Sequence, residues 1–326
     1  MLVIETRSAI RNRQSNRPFS IWSTPFQPSE YPGGQPPGYE SVEPGHGGAR
    51  AYSGRIELAF APKFKIARSA SFFTAGSCFA REIEWALSQD DVRVNSWNPG
   101  RKLSNELFHR YNTFSIINDF EFASGKAYDE RYILRIGEGR YCDFTSYGTW
   151  PSVDEALRVR REVIDIYRGW RDSDVIILTL GLVEAWFDKQ NDTYLNITPY
   201  ALFPKENDRF ELRITGYGEN YNAIKKMIDF IVSENPAAKV VLTVSPVPFS
   251  DTFSGQDVVV ANTYSKSVLR AVAQDLASEF DSVDYFPSYE IVMLSAPDKV
   301  WLPDRRHVDR EHVGFVVKQF QRFYME

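Results

Sequence analysis

Residues 76–78 of this chain, Gly-Ser-Cys, place two nucleophilic side chains directly after a glycine. An apolar run over residues 71–75 predicts a short strand before them, and apolar residues at helical spacing over residues 79–88 predict a helix after them. Strand-to-helix turns of this kind present nucleophiles, and the backbone N–H groups there favour a developing oxyanion. The sequence therefore predicts a covalent catalytic site that begins at Gly76, with Ser77 or Cys78 as its nucleophile.

The two candidate nucleophiles differ in chemistry. Cys78 is intrinsically the better nucleophile near neutral pH, and a helix N-terminus would lower the pKa of its thiol further. A thioester also suits the transfer of an acyl group to another hydroxyl. Ser77 would need a well-placed base, as in a hydrolase triad. The structural alternative is that Cys78 is a small buried side chain after a tight turn, as free cysteines often are.

The segments around this turn alternate between short apolar runs and amphipathic stretches. The predicted strands span residues 71–75, 174–180, 239–244 and 282–286, and the predicted helices span residues 79–88, 152–170, 221–233, 261–279 and 309–324. This alternation is typical of an α/β fold with a doubly wound parallel sheet. Ligands bind at the carboxyl ends of such strands, which singles out the loops at residues 76–78, 181–186, 245–249 and 286–290.

The first 52 residues differ in composition from the rest of the chain. Residues 16–48 are dense in proline and glycine, which predicts an irregular N-terminal extension (residues 1–52) before one α/β domain (residues 53–326). The extension also carries many aromatic side chains, so we expect part of it to wrap over the domain and cover the cleft. These aromatic residues are Phe19, Trp22, Phe26, Tyr31 and Tyr39.

The bulk properties of the chain exclude several classes of protein. The 326 residues carry a net charge of −5, which argues against nucleic acid as a partner. Two cysteines do not make a disulfide framework, and no apolar stretch approaches the roughly 20 residues that span a bilayer. With no signal-like N-terminus, we expect a cytoplasmic protein. The sequence contains no metal-ligand spacing, phosphate-binding loop or dinucleotide fingerprint, so no cofactor is expected, and it gives no indication of oligomeric state.

Five segments resemble the GSCFA-domain family of bacterial proteins. They are residues 74–80 (Thr-Ala-Gly-Ser-Cys-Phe-Ala), 180–186 (Leu-Gly-Leu-Val-Glu-Ala-Trp), 242–248 (Leu-Thr-Val-Ser-Pro-Val-Pro), 263–270 (Thr-Tyr-Ser-Lys-Ser-Val-Leu-Arg) and 285–290 (Tyr-Phe-Pro-Ser-Tyr-Glu). The family is related to the SGNH/GDSL esterases, which share a doubly wound, flavodoxin-like fold. The resemblance implies an esterase or O-acyltransferase that acts on a small-molecule or glycan substrate through a covalent acyl intermediate.

The SGNH pattern also implies roles for residues outside the turn. It ends in Asp-x-x-His before the final helix, and Asp304 and His307 have that spacing, so His307 would deprotonate the nucleophile and Asp304 would orient the imidazole. Where SGNH enzymes have Gly-x-Asn-Asp, this chain has Gly181 and, in place of the oxyanion-binding asparagine, Glu184. An ionised glutamate accepts hydrogen bonds only, so Asn112 is the candidate substitute donor and a turn asparagine is its alternative interpretation.

The same loops and helices supply the remaining predicted substrate-binding residues, which are Trp186, Ser245, Lys266 and Glu290. Lys266 lies four residues before Arg270 on one helix face, where the two could hold an anionic group, with plain solvation as the alternative.

The other histidines, His46, His109 and His312, are interpreted as having no catalytic role.

The site as a whole has a second interpretation besides an enzyme. Because Glu184 replaces the asparagine, the alternative function is a non-catalytic binding or scaffold protein that retains the esterase-like fold.

Overall fold

The computed structural model describes residues 1–12, 14–15, 54–97, 100, 103–206 and 208–326. Its strands are β1 (Leu2–Glu5), β2 (Gln14–Ser15), β3 (Phe72–Gly76), β4 (Ile133–Gly137), β5 (Arg140–Asp143), β6 (Thr149–Trp150), β7 (Val175–Leu180), β8 (Glu184–Asp188), β9 (Thr193–Tyr194), β10 (Phe210–Ile214), β11 (Lys239–Val244), β12 (Asp251–Thr252) and β13 (Val283–Tyr285). Its α-helices are α1 (Thr6–Asn12), α2 (Cys78–Gln89), α3 (Thr113–Ala123), α4 (Val153–Tyr167), α5 (Phe203–Glu206), α6 (Tyr217–Glu234), α7 (Val258–Glu279), α8 (Ser288–Leu294), α9 (Pro297–Val300) and α10 (Arg310–Tyr324). The five aromatic residues expected to cover the cleft, and His46, lie outside the described residues.

Four strands form a parallel sheet in the order β13-β11-β7-β3. Successive side chains of a strand point to opposite faces, so each strand contributes to two apolar layers. Phe73 and Ile176 pack with α3, α4, α6 and α7, whereas Phe72 and Ile177 pack with α2, α8 and α10. Helices therefore cover both faces of a buried sheet, which confirms the predicted doubly wound α/β fold.

The observed helices depart from the predicted ones mainly at their ends. Helix α6 begins at Tyr217, four residues before the predicted start, because the Glu219 carboxylate accepts the Gly216 N–H at 3.0 Å and caps the helix. Helix α4 ends at Tyr167 and continues as a 3₁₀ turn to Asp172. Both differences are confined to the ends of helices.

An antiparallel sheet with the order β1-β10-β8-β9 stands beside the parallel one and was not predicted. Its strand β8 begins at Glu184, so the segment after β7 becomes a strand after a short loop. Residues 2–5 pair with β10, which ties the start of the chain to this sheet. A third sheet has the order β4-β5-β6, and β12 pairs with β2. The boundary at residue 52 stays a prediction. Among the described helices, none has the length and apolar character needed to cross a membrane.

Candidate functional site

The turn from β3 to α2 is built as the sequence predicts. Gly76 ends β3 with φ +136°, a conformation that favours glycine, and a Cβ there would lie 2.2 Å from the Thr179 carbonyl oxygen. Ser77 is the N-cap of α2, and its Oγ accepts the Phe79 N–H at 3.3 Å. Cys78 is the first helical residue, where the backbone N–H has no partner inside the helix.

The two candidate nucleophiles have different surroundings. Ser77 is 4% exposed, and its hydroxyl donates to Ser245 Oγ at 2.9 Å while it caps the helix. Cys78 is partly exposed and lines a cavity of about 580 Å³. The serine hydroxyl is thus held by the protein on both sides, and the thiol faces space that a substrate could fill.

This cavity brings together most of the predicted site residues, which come from the loops after β3, β7 and β11, from strand β8, from helix α7 and from the segments before α3 and α10. The predicted residues in its wall are Ser77, Cys78, Asn112, Gly181, Glu184, Trp186, Ser245, Lys266 and His307. Gly76 and Asp304 each adjoin one of them, and Glu290 does not line the cavity. In the described parts of the chain, no group of three or more His, Cys, Asp and Glu side chains is arranged to hold a metal ion.

Asp304 and His307 form the hydrogen bond that the Asp-x-x-His spacing implies. Nδ1 of His307 lies 2.5 Å from Asp304 Oδ2, and the backbone N–H groups of Arg306 and His307 each donate to Oδ1 at 3.0 Å. Burial acts to raise the pKa of Asp304, but these hydrogen bonds outweigh it and lower the pKa. An ionised Asp304 therefore fixes the orientation of an imidazole in the cavity wall.

Two basic side chains, Lys266 and Arg306, line the cavity together with Cys78. Lys266 is 2% exposed, its Nζ donates to the Gly181 carbonyl at 2.8 Å, and burial lowers its pKa to about 7. Burial also raises the pKa of the Cys78 thiol, and the charges of Arg306 and Lys266 oppose this only in part. The thiol is therefore protonated at neutral pH and needs a base to react.

The side chains of Asn112 and Glu184 line the cavity but are engaged by the protein. Asn112 caps α3: its Oδ1 accepts the Ser115 N–H and its Nδ2 donates to the Leu195 carbonyl, each at 2.9 Å. The Glu184 carboxylate accepts hydrogen bonds from Thr252 Oγ1 and, at 3.1 Å, from the backbone N–H of Phe253. Burial raises the pKa of Glu184. The Asn112 amide and the Glu184 carboxylate thus both have structural partners.

Glu290 and Arg270 occupy a different place from the one expected. Arg270 Nε lies 2.6 Å from Glu290 Oε1, and the Tyr285 hydroxyl donates to Oε2 at 2.7 Å. Lys266 and Arg270, which could have held one anion, have separate partners: Lys266 is buried against Gly181 and Arg270 is bound to Glu290. The Arg270–Glu290 ion pair thus links α7 to α8.

The cavity wall also contains residues to which the sequence interpretation gave no role, among them His109, Tyr111 and Arg306. His109 pairs with Gly76 through one isolated bridge, and its Nδ1 lies 3.3 Å from the Tyr111 hydroxyl. Burial, followed by the charges of Arg81 and Arg110, lowers the pKa of His109 to about 4. The one signal for His109 and Tyr111 in the sequence was their position beside Asn112, whereas Arg306 lies inside the Asp-x-x-His segment.

Between His109 and Tyr111 lies Arg110, whose side chain is fully buried under the cavity. Its guanidinium pairs with Asp119, which also pairs with the buried Arg160. Arg160 Nε lies 3.4 Å from Asp143 Oδ2, and Arg110 Nη1 donates to the His109 carbonyl at 2.7 Å. A buried ion-pair network thus supports the segment that carries His109 and Tyr111.

Comparisons with known proteins place the chain in a family. A solved structure described as a GDSL-like lipase, from Parabacteroides merdae, is similar with 14% identity and a TM-score of 0.35, over 80% of this chain and 98% of that one. A likeness this weak supports no inference about activity. A search of curated proteins found no match. The family model of the GSCFA family matches residues 71–320, which is most of the sequence and includes the Gly76 turn and the Asp304–His307 pair, and the chain therefore belongs to the GSCFA family.

Proposed function

We propose that this protein is an acyl-ester enzyme, an esterase or O-acyltransferase, with Cys78 as its nucleophile. One observation carries the proposal. Cys78 begins a helix and lines the same cavity as His307, whose imidazole is held by Asp304 at 2.5 Å. A nucleophile, a base and a group that orients the base are the parts that covalent acyl transfer requires.

The reaction follows from these parts. His307 takes the thiol proton, and the Cys78 thiolate adds to the acyl carbonyl of the ester. The tetrahedral intermediate then breaks its bond to the alcohol oxygen, which receives the proton from the imidazolium, and a thioester on Cys78 remains. Water or an acceptor hydroxyl, deprotonated by His307, attacks the thioester. The carbon–sulfur bond breaks, the thiolate takes up the proton from His307, and the free acid or the new ester leaves.

The surroundings of the two nucleophiles favour Cys78 over Ser77. The Ser77 hydroxyl caps α2 and donates to Ser245, so an attack by Ser77 would give up both interactions. Loss of an N-cap alone costs about 1 kcal/mol. Attack by Cys78 breaks no helix cap, and the charge of Arg306, with that of protonated Lys266, stabilises the Cys78 thiolate once the base has removed the proton.

The cavity wall supports an acyl substrate. The wall mixes polar and apolar side chains, and its apolar members include Leu182, Trp186 and Val247. Apolar side chains in a cavity that also holds the nucleophile suit the hydrocarbon part of an acyl group. The alcohol part belongs to a hydroxylated small molecule, with glycans as one such class.

The alternative function is a non-catalytic binding or scaffold protein. The observation that favours it is the segment Gly181–Glu184, which lacks the asparagine donor of the related esterases and whose Glu184 binds Thr252. Under that alternative the cavity binds a ligand and no covalent intermediate forms.

The deciding experiment is the intact mass of the protein after brief exposure to p-nitrophenyl butyrate. We expect one butyryl adduct on the wild type and on Ser77→Ala, and none on Cys78→Ala. Loss of the adduct in Ser77→Ala alone would instead make Ser77 the nucleophile. A folded wild type that gains no adduct over a series of ester donors would support the binding protein.

A further inference from the structure

An acyl transfer on Cys78 places negative charge on the former carbonyl oxygen, and the site must donate hydrogen bonds to it. The Cys78 backbone N–H, at the first position of α2, is one donor. The side chain expected to supply another, Asn112, donates to the Leu195 carbonyl, and the Glu184 carboxylate accepts from Thr252. A residue to which the sequence gave no role is therefore a candidate for the second donor. This inference rests on the proposed function.

The segment with His109 and Tyr111 lies between the Gly76 turn and the loop after β7. The Arg110 N–H donates to the Gly76 carbonyl at 2.7 Å, and the Leu182 N–H donates to the Tyr111 carbonyl at 2.8 Å. A Cβ on Gly181 would lie 2.2 Å from that Tyr111 carbonyl oxygen, so the backbones are in close contact. The backbone of residue 111 is thereby fixed between the nucleophile turn and the loop after β7.

Two further contacts fix the tyrosine itself. Its backbone N–H donates to Asn196 Oδ1 at 2.8 Å, and its hydroxyl lies 3.3 Å from His109 Nδ1. The Tyr111 side chain is partly buried and lines the cavity together with Cys78. After burial, the Cys78 thiolate has the largest effect on the pKa of Tyr111, and both raise it. The phenol thus remains protonated, as a hydrogen-bond donor, close to the nucleophile.

His109 can hold Tyr111 while leaving the phenol O–H available to donate a hydrogen bond to the substrate. It is neutral near pH 7, since its pKa is lowered to about 4, and so carries one ring proton. With that proton on Nδ1, His109 donates to Tyr111 Oη, and the phenol O–H can point at a third atom. The opposite tautomer would accept the phenol proton and hold it away from the substrate.

We propose that Tyr111 is a catalytic residue that donates its phenol hydrogen bond to the acyl oxygen as Cys78 attacks, and that His109 is a positioning residue that holds Tyr111 through Nδ1–H. No proton changes place in this step. The hydrogen bond strengthens as the carbonyl oxygen becomes negative and weakens again when the thioester forms.

The test compares two reactions of the same thiol. Acylation of Cys78 by p-nitrophenyl butyrate builds an oxyanion, whereas alkylation by iodoacetamide does not. In Tyr111→Phe we expect the second-order rate constant of acylation to fall about 10²- to 10³-fold, the range seen when one oxyanion donor is removed. The rate constant of alkylation should stay within about twofold. Tyr264→Phe, an exposed tyrosine on α7 outside the cavity wall, is the matched control and should change neither rate.

The role of His109 is tested by two replacements. His109→Asn retains an N–H near the position of Nδ1, and His109→Leu does not. We expect His109→Asn to acylate at least tenfold faster than His109→Leu, with equal alkylation rates in both.

Three results would overturn the proposal. If Tyr111→Phe is acylated as fast as the wild type, Tyr111 is not an oxyanion donor. If acylation and alkylation fall together, Tyr111 acts on the thiol and not on the oxyanion. A wild type that alkylates at Cys78 but is acylated by no ester overturns the proposed function as well, and this result is distinct from the other two.

Discussion

The carbonyl oxygen of Thr179 occupies the place where a side chain on Gly76 would begin, since a Cβ there would lie 2.2 Å from it. The two residues are register partners in the β3–β7 pair. Gly76 also has φ +136°, so backbone conformation and space both require glycine at the turn before the nucleophile.

Gly76→Ala should therefore destabilise the protein by about 2–5 kcal/mol, from the strain of the φ angle together with the clash. The free energy of unfolding, measured by urea denaturation, checks this. Gly125→Ala is the matched control, because Gly125 has φ +106° but nothing within 4 Å of a Cβ. Its cost should reflect the φ strain alone, and equal costs in the two variants would show that the contact with Thr179 has no effect.

The two cysteines should differ in reactivity. Cys142 is 3% exposed in an apolar cluster, and burial raises the pKa of its thiol to about 12, whereas Cys78 lines the cavity. We expect iodoacetamide to add one label to the folded wild type and none to Cys78→Ala, by intact mass. Urea-unfolded Cys78→Ala should gain one label at Cys142, and labelling of Cys142 at the Cys78 rate in folded protein would contradict its burial.

Asp304→Asn should slow acylation of Cys78 by about 10²- to 10⁴-fold, because an amide no longer stabilises the imidazolium or sets its tautomer. The burst of p-nitrophenol from p-nitrophenyl butyrate measures this rate. Asp298→Asn is the control, since Asp298 is exposed on α9 and pairs with Lys299. Equal bursts from the two variants would remove the Asp304–His307 pair from the mechanism.

Glu184 should make stability fall with rising pH. Burial raises the folded pKa of this carboxyl above its ordinary value of 4.5, so folding favours its protonated form. Its contribution is fully present below the unfolded pKa and is lost as pH rises through the folded pKa. The unfolding free energy of Glu184→Gln, relative to wild type, should therefore increase as pH rises above about 4.5.

The exposed Glu311 supplies the opposite case for the same measurement. The hydrogen bond with Arg55 lowers the pKa of Glu311, so its contribution is present above the unfolded pKa and is lost as pH falls. As pH rises from the folded to the unfolded pKa of Glu311, the unfolding free energy of Glu311→Gln should fall relative to wild type. Parallel pH profiles for the two variants would contradict the assignment of Glu184.

Glu290→Gln should leave the acylation rate within about twofold of wild type, because Glu290 binds Arg270 and Tyr285 and lies outside the wall of the Cys78 cavity. It should cost up to about 1 kcal/mol of stability, as expected for a partly exposed ion pair. Burst kinetics and urea unfolding measure the two effects. A large fall in the acylation rate with unchanged stability would show that Glu290 has a role in the catalytic site.

The parallel sheet could be predicted from the sequence because its signals are local. The run at residues 175–180 consists of β-branched residues and leucines and is buried on both faces, and the helices around it repeat their apolar residues at helical spacing. The turn at residues 76–78 and the Asp304–His307 spacing are also local patterns. Each could be located without knowledge of any distant contact.

The rest of the site depends on contacts between distant segments. Strand β8 begins and ends with an acidic residue and becomes a strand by pairing with β10, more than 20 residues later. Lys266 has the sequence context of a solvated helix face but is buried by its contact with Gly181. Tyr111 reaches the cavity through single backbone contacts with the Gly76 turn and the Gly181 loop, which produce no periodic pattern.

The ion-pair network beneath the cavity has a consequence for genetics. Asp119 pairs with both Arg110 and Arg160, and Arg110 immediately precedes Tyr111. Removing a carboxylate from such a buried group leaves uncompensated cations and typically costs 3–5 kcal/mol. A screen of random mutants for lost activity should therefore recover substitutions at Asp119, which does not line the cavity, alongside those at Cys78. Suppressors that restore activity to Asp119 mutants would be sought first at Arg110, because Arg110 loses its carboxylate partner while Arg160 keeps Asp143.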